Sequence, residues 1–214
     1  MFEFAIETVA LLALAAFAAG FIDAIAGGGG LITVPAVLLA GASPIEALGT
    51  NKLQSVFGSA SATFSYARAG HVDLKRQMPM GAMSLFGSIV GAFCATLLPQ
   101  DIFRMVLPGV LVLIALYFAL KPEMSDLDSA ERMSPLVFAL TLVPVIGFYD
   151  GIFGPGTGSF FMLGFVALAG FGMLKATAHT KFLNFASNLG SLIVFRALLA
   201  RYCGNRLAMG IGNF

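Results

Sequence analysis

Two lysines and two aspartates stand in stretches of this chain that are otherwise apolar and rich in glycine: Lys52, Lys181, Asp23 and Asp150. An ionisable residue in such surroundings is costly, so each one asks for a reason. Short hydrogen-bonding side chains precede each lysine, Thr50 and Asn51 before Lys52, and His179 and Thr180 before Lys181. Glycines follow each aspartate: Gly27, Gly28, Gly29 and Gly30 in the first case, Gly154 and Gly156 in the second. Ammonium groups beside hydroxyl and amide donors suit the oxygens of a carboxylate or sulfonate-like head. The chemistry expected is the holding of a small anion.

Other roles compete for the same residues. Lys52 could pair with Asp23, and Lys181 with Asp150, each pair bracing a broken helix within its own half of the chain. A lysine near a helix end can also send its ammonium to the lipid headgroups. Asp23 and Asp150 could couple protons, balance the lysines or cap short helices. His179 titrates near neutrality and could be proton-linked, or simply hydrogen-bonded within a helix. His71, in a basic loop, reads as a solvated residue.

Enzyme and metal readings find little to stand on. Cys94 and Cys203 are isolated thiols with no disulfide framework and no metal spacing. The glycine run fails G-x-G-x-x-G, because Ile32 occupies the last position. H-E-x-x-H, C-x-x-C and G-x-S-x-G are missing from the sequence. No cofactor is implied. Net charge is +1, with no basic run to hold nucleic acid.

The elements that must position these residues are membrane helices. Of 214 residues, 58% are hydrophobic and 11% charged, with a mean hydropathy of +0.92; a soluble domain carries about 25% charged residues. The pattern predicts spanning helices over 7–25, 46–67, 78–98 and 102–120. Glycines 27–30 stop the first, and 31–40 is too short to cross, at roughly 15 Å of helix. It reads as a half-helix, ended by a Gly-Ala-Ser-Pro turn. Gly49 to Asn51 weakens the first turns of the span after it. The loop with Arg68, Lys75 and Arg76 is cytoplasmic by the positive-inside rule. Gly87 and Gly91 form a small-residue packing face.

The hydrophilic stretch 121–134 divides an N-terminal unit, 1–120, from a C-terminal unit, 135–214. Between the units the pattern recurs. Gly20, Asp23, Gly27 and Gly29 match Gly147, Asp150, Gly154 and Gly156 at a spacing of 127, and Ala47 to Lys52 matches Ala176 to Lys181 at 129. Such an internal repeat is common among transporters. The first unit runs about forty residues past Gly81 and the second only four past Gly210, so by this logic the chain lacks up to two helices. The fold expected is all-α, a polytopic transmembrane helical bundle with an internal two-fold repeat and broken half-helices. Parallel and inverted orientations of the halves both fit, and the sequence sets no oligomeric state. In a membrane, two helix N-termini without carbonyl partners, over 28–31 and 157–160, would together favour an anion.

GFIDAIAGGGGLITVPAVLLAGASPIEALGTNKLQSVFGSASATFSYARAGHVD resembles the N-terminal signature of the sulfite exporter TauE/SafE family, also called TSUP permeases. GFYDGIFGPGTGSFF with ATAHTKFLNFASNLGSL is similar to its second-half signature, and AMGIGNF to the start of a third. The resemblance covers essentially the whole chain; the charged stretch Arg201 to Arg206 departs from it. It implies a multi-pass permease of the bacterial inner membrane for sulfite, sulfonates and related anions. The lipid bilayer and a small anionic substrate would be its partners. The matching positions are Gly27 to Gly30, Thr50, Asn51, Lys52, Gly154, Gly156, Thr180, Lys181 and Asn184. An anion channel, a proton- or cation-linked carrier centred on Asp23 and Asp150, a membrane-embedded enzyme and a non-functional fragment are the competing readings.

Overall fold

A computed structural model describes residues 6–26, 28–120 and 127–211. Nine helices carry these residues, and no strand occurs among them: α1 (Ile6–Ala26), α2 (Gly30–Leu39), α3 (Pro44–Arg68), α4 (Leu74–Leu97), α5 (Gln100–Ala119), α6 (Pro135–Leu140), α7 (Leu142–Ile152), α8 (Thr157–Ala167) and α9 (Met173–Ile211). The expected helices are all present, each within a few residues of its predicted ends. Among the described residues, three stretches are long and apolar enough to cross a membrane, Ile6–Ala24, Leu74–Leu97 and Pro135–Ile152. Large apolar side chains such as Phe17, Phe57, Phe86 and Leu113 point outward, as surfaces facing lipid do.

Gly49 to Asn51 does not weaken α3 as expected; the helix is continuous through them. Its start is firmly fixed. Ser43 accepts from the Glu46 amide, the Glu46 carboxylate accepts from the Ser43 amide at 2.8 Å, and Pro44 occupies the first turn. This capping box satisfies donors that would otherwise fray the end.

The closest helix packing joins α4 to α7. Gly87 and Gly91 lie against the carbonyls of Pro144 and Phe148, while Gly147 and Gly151 lie against those of Ser84 and Ser88. A Cβ at any of the four would collide with backbone. Small residues on both helices therefore set the distance between them. Ser84 Oγ donates to the Leu183 carbonyl at 2.8 Å and Gln77 Nε2 to the His179 carbonyl at 2.8 Å, fastening α4 to α9 as well.

The described end of the connector, 127–133, is laced to the loop between α8 and α9. Ser129 and Met133 amides donate to the carbonyls of Gly170 and Leu168 at 2.8 and 3.0 Å. Asp128 Oδ1 accepts from the Gly172 amide at 2.6 Å, and its other oxygen meets Lys175 at 3.3 Å. The Gly172 hydrogen bond, then Lys175, hold the Asp128 carboxyl below the usual carboxylate range.

Candidate functional site

A long helix, a glycine break, a short helix and a long helix follow one another in α1–α2–α3, and the stretch Pro135–Ile152 (α6 with α7) leads through a second glycine break to short α8 and long α9. Lys52 and Lys181 are each the ninth residue of the helix after the short one. Both lysine side chains are 1% exposed. Burial of a long cationic chain demands charged or polar partners, and the structure supplies them across the halves.

Lys52 Nζ meets Asp150 Oδ1 at 2.7 Å, with the aspartate also 1% exposed. Lys181 Nζ lies 3.8 Å from Asp23 Oδ2 and donates to the Asp23 carbonyl oxygen. This corrects the pairing expected within each half: Lys52 goes to Asp150, not Asp23, and Lys181 to Asp23, not Asp150. Contact between residues 98 and 158 positions apart cannot be seen in a local pattern.

The glycine breaks bring both short helices to these pairs. At the second break Gly154 has φ +87° and Gly156 φ +82°, a region that glycine enters at little cost and residues with a Cβ do not. A Cβ on Gly154 would come within 2.8 Å of Lys52 Nζ, so the lysine lies directly on the turn that starts α8. Thr157 Oγ1 donates to the Gly154 carbonyl at 2.6 Å, and the Tyr149 hydroxyl to that of Pro155 at 2.5 Å. At the first break, Gly29 packs against the Ala19 carbonyl and Asp23 Cβ, and its amide donates to Asp23 Oδ1 at 3.4 Å. Gly30 approaches both Pro155 and Asn51: a Cβ there would meet Pro155 Cα at 3.1 Å and the Asn51 amide at 3.2 Å. The start of α2 thus reaches the turn that leads into α8. Gly28 is buried with Ser159 Oγ nearest it across the site. Gly27 lies outside the described residues.

Not all the donors of these first turns are open. Leu31, Thr157 and Phe160 amides bond the carbonyls of Gly28, Gly154 and Gly156 at 3.0, 3.3 and 3.1 Å, which corrects the expectation that they lack partners. Neither α2 nor α8 has a side-chain N-cap. The dipole at both ends remains positive.

The other candidates separate. Asn51, Thr180 and Asn184 are buried, and Thr180 Oγ1 has no hydrogen-bond partner among the described residues. Asn184 receives Asn188 Nδ2 on its side-chain oxygen at 3.1 Å. Thr50 is exposed, because adjacent helical positions point about 100° apart and Asn51 takes the inward one. The His179 ring rests against the stacked pair Phe165 and Phe171, 5.5 and 5.0 Å away between centroids. That is an aromatic setting, while its carbonyl is held by Gln77.

Sequence reasoning passed over Gln77, Ser84, Gln54 and Thr33. Gln77 and Ser84 share one face of α4 with Gly81, Ser88 and Gly91, all buried. That stripe of polar and small residues at helical spacing was the available signal. Gln54 Nε2 donates to the Ala16 carbonyl at 3.0 Å, tying α3 to α1.

Among known proteins, the profile of the family described as Sulfite exporter TauE/SafE matches residues 12–213. A Sinorhizobium protein named "Probable membrane transporter protein ORF9" is 61% identical over all of this chain and 82% of its own length. "Probable membrane transporter protein YfcA" of Escherichia coli K12 is 49% identical over 86% of this chain and 69% of its own. A Haemophilus influenzae "Probable membrane transporter protein" is 45% identical over 90% of this chain and 76% of its own. No solved structure matches.

Proposed function

The chain is a membrane transporter of the sulfite exporter TauE/SafE family, and from that premise we propose that it carries small anions, sulfite or an organosulfonate foremost, by alternating access at the Lys52–Lys181 site. It would do so as a multi-pass protein of the bacterial inner membrane, with the bilayer and the anion as its partners. The observation that carries this reading is the position of the Lys52 ammonium, buried and lying on the turn at the start of α8. A full positive charge and a helix N-terminus act on the same small volume.

A sulfonate-type head presents three oxygens, and the lysines, Asn51 and Thr180 offer donors to match. Each lysine is already neutralised by an aspartate. An incoming anion must therefore take over a lysine while the aspartate turns away or accepts a proton. A protonated aspartate also cancels the charge that the anion brings into a low-dielectric site. Anion movement is in this way tied to the proton gradient or to the membrane potential.

Reconstituted protein with [35S]sulfite inside vesicles tests the reading. Lys52→Met and Lys181→Met should each lower flux by roughly 30- to 100-fold, the worth of a charged hydrogen bond in a desolvated site. Normal flux in both would sink it. The paired aspartates favour one other reading, a proton- or cation-linked carrier centred on Asp23 and Asp150. In that case Asp→Asn variants fail while both lysine variants retain flux. Flux that follows voltage without accumulation against a gradient would mark an anion channel.

A further inference from the structure

The two ion pairs differ in what surrounds them. Asp150 is sealed, at 1% exposure, whereas the Asp23 side chain is 15% exposed. A cavity of about 190 Å³ explains the difference. It lies between α1, α2 and α3, and its mostly apolar wall includes Ala19, Asp23, Gly29, Thr33, Gln54 and Ser55. Gly20 and Gly58 border it, and a Cβ on either would meet no atom of the described residues within 4 Å. The two missing side chains leave the cavity open between α1 and α3.

We propose that this cavity is the access route to Asp23, and that Asp23, unlike the sealed Asp150, exchanges protons with the outside of the bundle while the Lys52–Asp150 pair stays closed. The proposal rests on the transport reading only in taking that proton as the coupling ion. Lys181 is the titratable group facing Asp23 from α9. Neither α2 nor α8 contains an ionisable residue, and α3 brings Gln54 and Ser55, its own Lys52 being turned to Asp150. Protonation of Asp23 would free Lys181 from its carboxylate, leaving the hydrogen bond to the Asp23 carbonyl in place.

The test uses the whole protein reconstituted in lipid vesicles and dicyclohexylcarbodiimide, an apolar reagent for protonated carboxyls. The acid gives its proton to a carbodiimide nitrogen and its oxygen adds to the central carbon; the adduct then rearranges to a stable N-acylurea, with nothing lost. Mass spectrometry of peptides reads the adduct at each aspartate. A sealed group reacts only through local opening, so Asp23 should be modified at least about tenfold faster than Asp150. The rate at Asp23 should rise as pH falls. Gly58→Leu, which fills the mouth without displacing backbone, should cut it several-fold. Equal modification of both aspartates, a rate independent of pH, or no effect of the leucine in folded protein would each overturn the proposal. The label is read without substrate, so failure of sulfite transport leaves this result standing, and failure of labelling leaves the lysine site untouched.

Discussion

Lys52–Asp150 and Lys181–Asp23 use the same two residue types at matching places in the chain, yet they are unequal clasps. The first is a short contact, 2.7 Å, with both partners 1% exposed. The second is longer, 3.8 Å, relies also on a backbone carbonyl, and opens onto a cavity. The cause lies in the helices that carry the aspartates. Asp150 sits in α7, locked to α4 through four glycines. Asp23 sits in α1, whose apolar residues Leu11, Leu14, Phe17 and Phe21 are more than 60% exposed. Equal chemistry placed on unequal scaffolds yields one fixed pair and one that can be worked.

The sharpest way to break this contrast is to remove one partner from each pair. Asp150→Asn or Lys52→Met leaves a charge buried alone and should cost about 3–5 kcal/mol of stability. A thermal unfolding series in detergent would show the loss. Asp23→Asn should cost less, about 1–2 kcal/mol, because its lysine keeps the carbonyl bond. Equal losses would mean that the difference in burial has no energetic consequence.

The glycine turns give a second comparison. Gly154→Ala places a methyl group at positive φ and against Lys52, so a loss of about 1–3 kcal/mol is expected. Gly58→Ala adds a methyl group in open space within a helix and should gain up to about 1 kcal/mol. The same unfolding assay ranks the two. A neutral Gly154→Ala would show that the Lys52 clasp tolerates movement of the turn.

The smallest effect concerns the connector, which both clasps ignore. Asp128→Asn should speed hydrogen exchange of the Gly172 amide by about two- to fivefold, as a local opening. The folded-state carboxyl titrates below its ordinary value of 3.8. Its contribution is therefore complete above that pH and fades as pH falls through the lowered value. Exchange at Gly172 that is the same in Asp128→Asn as in the unchanged protein at pH 7 would remove Asp128 from the lacing.

The helices, the breaks and the two lysines are legible in the sequence because apolar run length, glycine and isolated charge are local signals. Pairing is not. Depth along a helix follows from counting residues, but which neighbour a side chain meets depends on how α3 and α9 are turned toward the opposite half. Thr50 and Asn51 show how fine that distinction is: one step along α3 separates an exposed threonine from an asparagine buried beside Gly30. Gln77 shows the converse, a polar residue in an apolar helix whose role appears only when the His179 carbonyl is seen beside it.

The α4–α7 seam carries a mechanical consequence. Backbone carbonyls of each helix sit in notches that glycines of the other provide, two in each direction. Such a joint behaves like meshed teeth: a carbonyl cannot slide without meeting the next residue's Cβ, so intermediate positions are blocked. It resists shear, and α1 and α2 lie outside the mesh. Sliding α4 past α7 is opposed by the backbone itself, whereas hinging about the pair leaves the notches filled.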